Sequence, residues 1–136
     1  MSTLFLAEGN IGSAPEYREF IDPEDGPRRL IRLNVYFDNP VPTGEGFEDR
    51  GGFWVPVELW HDSAHHWSTL YQKGMRVIVH GKMIRDQWED AEHNPQVTFK
   101  IRARSIGILP YRVASVVVSP KGSAQHENSD GEDVPG

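Results

Sequence analysis

Along most of this chain apolar and polar residues alternate with a period of two, the pattern of strands that bury one face. Residues 3–9 (TLFLAEG) predict a first strand, and the turn cluster DPEDGP stands at 22–27. Over 28–37 the alternation is clean. Ile31, Leu33, Val35 and Phe37 point one way, and Arg28, Leu30, Arg32, Asn34 and Tyr36 the other. Two prolines and four glycines in 38–52 predict a long exposed loop or hairpin. A third strand at 53–60 turns Phe53, Val55, Val57 and Leu59 inward and leaves Trp54, Pro56, Glu58 and Trp60 outside. Asp62 or Ser63 is suited to cap a helix over 63–72, which Gly74 stops.

A fourth strand at 75–85 puts Val77 and Val79 inward, with Gly81 marking a bend or bulge. Trp88 falls in a predicted loop, 86–95. The fifth strand, 96–104, sets Val97, Phe99, Ile101 and Ala103 against Thr98, Lys100, Arg102 and Arg104. Residues 113–118 (VASVVV) form an apolar segment suited to a sheet edge or a subunit contact. Five strands with a helix between the third and fourth predict an all-β chain. The order is that of an OB-fold, a five-stranded Greek-key barrel with one short helix, over residues 1–118. A small sandwich or SH3-like barrel would give a similar string. Residues 119–136 lack large apolar side chains beyond one valine and are expected to be a disordered acidic tail.

Composition narrows the chemistry. The 136 residues contain no cysteine, which excludes disulfides, thiolate metal sites and a cysteine nucleophile. No apolar run approaches the ~20 residues of a membrane span, and the N-terminus lacks the pattern of a secretory signal. A cytoplasmic protein, not attached to membrane, is the expectation. Net charge is −6, of which −3 falls on residues 119–136. Many of the other acids cluster in predicted loops: Asp22, Glu24 and Asp25, then Glu45, Glu48 and Asp49, then Glu89, Asp90 and Glu92. Bases lie on predicted strands, so a basic face can exist on an acidic protein.

The candidate chemistry is aromatic. Trp54 and Trp60 share the outer face of one strand, Trp88 has polar neighbours, and Trp67 reads as a core residue of the helix. A flat aromatic surface can stack bases, sugars or proline-rich peptides. Companions decide between these, and here they are Arg28, Arg32, Lys100, Arg102 and Arg104 on neighbouring strands, with Lys73, Arg76, Lys82 and Arg85 as further cations. Aromatics interleaved with cations point to single-stranded nucleic acid, stacked at ~1–3 kcal/mol per base without sequence selection. The plain alternatives are tryptophans that cover core or subunit interface and cations that merely solvate an outer face.

Three segments resemble the bacterial single-stranded-DNA-binding protein family, over roughly residues 3–109. GNIGSAPEYR (9–18) is similar to its first-strand motif, and FWVPVELWHDSAHH to its tryptophan-bearing third strand leading into the helix. LYQKGMRVIVHGKMIRDQWED is similar to its helix end, Lys-Gly turn, glycine-containing strand and loop tryptophan. The resemblance implies a homotetramer that wraps single-stranded DNA, stacking bases on Trp54, Trp60 and Trp88. It also implies a tryptophan just after the second strand, where this chain has VYFDNPV and Tyr36 or Phe37 as substitutes. Asp86 and Gln87 stand where the family places bases, and the long loop 38–52 is like that of copies borne by plasmids or conjugative elements. Family tails end in acid, proline and phenylalanine and dock replication and repair proteins. This tail ends SDGEDVPG, with no aromatic.

The expected site is therefore Trp54, Trp60, Trp88 and Tyr36 for stacking, with Arg32, Lys73, Lys82, Arg85, Lys100, Arg102 and Arg104 for phosphates. No cofactor is expected. His61, His65 and His66 have partial metal-ligand spacing but no distant cluster to complete a site. No nucleophile elbow or phosphate loop frames a catalytic group, so no enzyme is expected. The rival reading is a protein-interaction OB module whose aromatic face packs a partner.

Overall fold

The computed structural model describes residues 3–121. In chain order they form β1 (Thr3–Ile11), β2 (Glu16–Asp22), β3 (Gly26–Phe37), β4 (Pro40–Thr43), β5 (Gly46–Asp49), β6 (Phe53–Trp60), α1 (Ala64–Trp67), β7 (Arg76–Glu89) and β8 (Pro95–Leu109). A 3-10 turn, Pro110–Arg112, follows. Hydrogen bonding runs β1–β7–β8–β6–β3, and β3 returns to β1 at Asn10–Tyr36 and Ile11–Val35. Five strands thus close a barrel, with α1 between the third and fourth of them, as the pattern predicts. Every barrel pairing is antiparallel except β6–β8, which is parallel at Val57–Ile101 and Glu58–Arg102.

The interior holds Ile31, Leu33, Val35 and Phe37 from β3, Val55, Val57 and Leu59 from β6, Val77 and Val79 from β7, and Ile101 from β8. Each such side chain contributes roughly 1.5–3 kcal/mol by leaving water. A barrel this small has room for one set of inward side chains, so the alternate positions are forced outward. At Gly81 the predicted bulge is present, between His80 and Gly81. An added Cβ there would collide with the carbonyl of Arg102.

Several expectations need correction. Residues 16–22 form β2, which pairs only with β3 and prolongs that hairpin beyond the barrel. In 38–52, expected as a loop or hairpin, the hairpin is the form present, β4 pairing with β5. Instead of spanning 63–72, α1 covers four residues. The hydroxyls of Ser68 and Thr69 donate to the carbonyls of His65 and His66, competing with the helical ladder. Trp88 is not in a loop. β7 and β8 continue as a two-stranded arm to Glu89–Pro95, tightened at its tip by the Asp90 carboxylate, which accepts from the N–H groups of Asn94 and Glu92.

Because that arm leaves the barrel, Val97 and Phe99 are exposed rather than inward. Phe53, where β6 enters the barrel, is half-exposed against Phe37. On the outer side Leu30 and Glu58 are buried, the latter at 7% exposure. Trp67 is partly buried against the core. Segment 113–118 pairs with no strand among the described residues, and Val116, Val117 and Val118 are exposed. Most of the expected tail, residues 122–136, lies outside the described residues.

Tyr71 ties the α1 turn to the barrel, donating its hydroxyl to the Ile106 carbonyl at 2.8 Å. Burial pushes its phenol from 10.0 up to about 12. A raised folded-state value means the neutral form is favoured by folding, so this contribution is intact below about pH 10 and is lost as pH climbs toward 12. Urea midpoints should therefore fall across that window. Tyr71→Phe should cost about 1 kcal/mol at neutral pH and soften the alkaline fall. A midpoint that holds steady to pH 12 in the wild type would contradict this burial.

Candidate nucleic-acid interface

Register decides which outward residues meet. Across β3 and β6, Tyr36 faces Trp54, Asn34 faces Pro56, Arg32 faces Glu58 and Leu30 faces Trp60. The Tyr36 and Trp54 rings are 5.2 Å apart at 49°, within the tilted range of attractive aromatic pairs. Trp54 lies over Gly12, where any Cβ would collide with the indole. This gives the second glycine of GNIG its reason. Supported on two sides, Trp54 is still 57% exposed.

Tyr36 is fixed in turn by its hydroxyl, which donates to Asp49 at 2.7 Å and accepts from the Gly52 N–H at 3.0 Å. The Asp49 carboxylate raises the Tyr36 phenol above its usual range. Asp49 itself is held below the usual carboxylate range, chiefly by the Asn39 N–H and then by Tyr36.

On β7 and β8, alternation puts Lys82, Ile84, Asp86 and Trp88 on the same side as Arg102, Lys100, Thr98 and Gln96, their register partners. Glu58 is in register with Arg102 across the parallel seam, so this side is continuous with that of Trp54 and Trp60. Trp88, 49% exposed, stands near the arm's end. Between the arm and β6 opens a cleft of about 620 Å³, lined by Arg32, Trp54, Pro56, Asp86, Thr98 and Lys100 among others. A second cleft, about 660 Å³, is lined by Ser13, Glu16, Arg18, Asn34 and again Arg32 and Pro56. The two clefts share Arg32 and Pro56 as a common wall.

Eight of the eleven predicted site residues thus share one side: Arg32, Tyr36, Trp54, Trp60, Lys82, Trp88, Lys100 and Arg102. Three do not join it. Arg85 has the opposite parity on the arm, Arg104 occupies the bulge with no β7 partner, and Lys73 lies in the turn after α1. The expectation that Lys100, Arg102 and Arg104 form one row therefore fails at the bulge.

Trp60 is less open than Trp54. The Arg28 guanidinium lies 4.4 Å from its ring centre, and Phe20 of β2 approaches at 5.7 Å. Sequence reasoning missed Phe20, because the apolar residues of EYREFID, Tyr17, Phe20 and Ile21, do not alternate.

The cations divide by partner. Lys100 Nζ lies 3.3 Å from the buried Glu58 Oε1 and 3.8 Å from Asp86 Oδ2. The Glu58 contact is close enough to pair electrostatically but lacks hydrogen-bond alignment. Lys82 and Arg102 face each other directly, exposed, and with Arg32 they make no ion pair among the described residues. Like charges opposed across a ladder destabilise it unless an anion joins them.

Two of the three histidines are otherwise engaged. His61 accepts from the Ser63 N–H and stacks on Trp67 at 4.0 Å, and His65 meets Tyr17 edge-on. Among the described residues no three metal-ligating groups come together.

Comparison with known proteins agrees with this geometry. The Single-strand binding protein family matches residues 1–109. The chain belongs to that family. A single-stranded DNA-binding protein of Corynebacterium glutamicum is 30% identical over 77 residues, 56% of this chain. That match spans about a third (34%) of the relative's length. In fold the chain is similar to the small single-stranded DNA-binding protein of Streptomyces coelicolor, with TM-score 0.62, 21% identity, and coverage of 79% of this chain and 94% of that one. It is also similar to the Plasmodium falciparum SSB solved with ssDNA, with TM-score 0.60, 14% identity and the same two coverages. All this fits the five-stranded OB barrel.

The ion pairing separates a structural base from free ones. Lys100→Ala leaves the buried Glu58 carboxylate without its cation and should cost about 1–3 kcal/mol in urea unfolding. Arg102→Ala should change stability by less than about 0.5 kcal/mol. Equal losses in the two variants would contradict the division.

Proposed function

We propose that this protein is a non-enzymatic, sequence-independent single-stranded-DNA-binding protein. It holds DNA unpaired during replication, recombination, repair or conjugative transfer. One observation carries the reading: Lys82 and Arg102, opposed and unneutralised, lie on the same side as the Trp54–Tyr36 pair and Trp88. Phosphates would relieve the first, and bases, whatever their identity, would cover the second. Membership of the Single-strand binding protein family supports it, as do the C. glutamicum relative's name and the ssDNA in the P. falciparum complex.

Bases stack on Trp54, Tyr36 and Trp88, and on Trp60 once Arg28 swings aside. Arg32, Lys82 and Arg102 take phosphates. Lys100 chiefly balances Glu58, while Lys73, Arg85 and Arg104 serve only DNA that leaves that side. Residues 1–118 act as the binding domain and 119–136 as an acidic tail able to meet replication or repair proteins. The family points to a homotetramer, and the location is the cytoplasm. No helix among the described residues is long and apolar enough to cross a membrane.

Oligo-dT should quench the intrinsic tryptophan fluorescence, more weakly as salt rises. Each phosphate contact adds about 0.7 to the slope of log affinity against log salt. Arg102→Ala should reduce that slope by about the same amount. Absence of quenching at low salt with a long oligonucleotide would defeat the reading. A Trp54→Ala, Trp88→Ala variant should lose DNA and keep its assembly, whereas a broken assembly would favour a protein-docking role for the aromatic face.

A further inference from the structure

We infer that Phe47, on the β4–β5 hairpin, is a further base-stacking residue, and that Asp49 is the positioning residue that holds the hairpin against the aromatic face. The inference rests on the single-stranded-DNA reading above. An exposed phenylalanine by itself means little. What matters here is the side it occupies.

The hairpin has no sheet pairing to the barrel among the described residues. Its base is fixed by a compact polar cluster. Asp49 Oδ2 accepts from the Tyr36 hydroxyl at 2.7 Å, and Oδ1 accepts from the N–H groups of Asn39 at 2.9 Å and Gly51 at 3.1 Å. The Arg50 N–H donates to the Asn39 carbonyl at 3.0 Å, and the Gly52 N–H to the Tyr36 hydroxyl. Tyr36 is also the ring that supports Trp54. One carboxylate therefore connects the hairpin to the stacking pair.

Strand geometry then places Phe47. Two residues from Asp49 on the same strand, it shares the side of the ribbon that Asp49 turns toward Tyr36. Register adds Pro40 opposite Asp49 and Pro42 opposite Phe47 on that side. The side facing Tyr36 is thus Phe47, two prolines and a carboxylate already holding three hydrogen bonds. Glu48 occupies the other side, opposite Val41, and pairs with Arg50 at 3.3 Å. The hairpin is acidic and repels phosphates: Glu45 stands in its turn with no ion pair among the described residues, and the Asp49 carboxylate is taken up by hydrogen bonds, so Phe47 suits a base and not a backbone. Phe47 is 76% exposed, so a ring face is open to take one.

Prolines at 40 and 42 restrict the ribbon's backbone, which lowers the entropy lost on binding. Stacking so placed extends the Tyr36–Trp54 pair by one position, on a side chain that the local alternation leaves outside the barrel.

The test uses full-length protein and oligo-dT of increasing length at two salt concentrations, comparing wild type with Phe47→Ala, Asp49→Ala, the double variant and Trp54→Ala. Phe47→Ala should weaken binding about fivefold or more, the smallest effect expected for one lost stacked base. Its salt slope should not change, because no charge is removed. Asp49→Ala should weaken binding too, and the double variant should lose no more than the larger single loss. Irradiating a 5-iodouracil oligonucleotide bound to wild type should give an adduct on Phe47 by peptide mass spectrometry.

Unchanged affinity in Phe47→Ala and no adduct in β5, while Trp54→Ala is weakened, would overturn this inference and leave DNA binding standing. A smaller oligomer in Phe47→Ala would also overturn it, assigning the residue to a contact between copies. If wild type fails to bind oligo-dT at low salt, both readings fall together.

Discussion

The parallel pairing of β6 with β8 is short, two register pairs long, and the whole outer face depends on it. It brings the strand carrying Trp54 and Trp60 beside the hairpin that extends into the Trp88 arm. Without it the two groups of aromatic residues would be joined only the long way round, through β3, β1 and β7. At the seam sits Glu58, nearly buried, with Lys100 as its cation. A buried ion pair is rarely a net source of stability, but a mispaired one is costly. Sliding β8 along β6 would strand that carboxylate, so the pair penalises alternative registers at the point where register matters most.

Barrel closure also explains how an acidic protein can present cations. Inward positions are taken by aliphatic side chains, and alternation leaves the outward positions of β3, β7 and β8 to Arg32, Lys82 and Arg102. Many of the acids stand in turns and hairpins, where Asp49 and Asp90 accept backbone N–H groups and tighten local structure, and the two on the face itself, Glu58 and Asp86, lie beside Lys100. Net charge describes the whole molecule, while a phosphate responds to the field within about a Debye length. Support for the stacking residues is equally local. Gly12 gives Trp54 its place and Tyr36 sets its tilt, while Asp49 anchors Tyr36.

Much of this was legible in the sequence. Alternation over 28–37 and 53–60 located two barrel strands and put Trp54, Trp60, Tyr36 and Arg32 on one side, because a half-buried strand has no freedom to do otherwise. Alternation failed where burial is not set by the barrel. Val97 and Phe99 have the parity of core residues but extend past the last turn of closure, and nothing in their spacing reveals where the barrel ends. Glu58 looked like a surface acid because its partner, Lys100, is 42 positions away. Turn residues at 38–52 left loop and hairpin both open, because the hairpin's anchor is a tertiary hydrogen bond, Tyr36 to Asp49, that spacing does not show. Arg104 was lost to a bulge that Gly81 signalled without saying which strand carried the extra residue.

On the reading proposed above, single-stranded DNA lies across the β6–β8 seam on the side shared by Trp54 and Trp88. Substituting 5-fluorotryptophan throughout gives four fluorine probes, assigned by single Trp→Phe variants, and Trp67 behind the site serves as an internal reference. On adding oligo-dT, the Trp54 and Trp88 signals should shift strongly, Trp60 should shift as Arg28 moves off its ring, and Trp67 should stay in place. Binding that leaves Trp54 and Trp88 unmoved would put the DNA on another surface and overturn this placement.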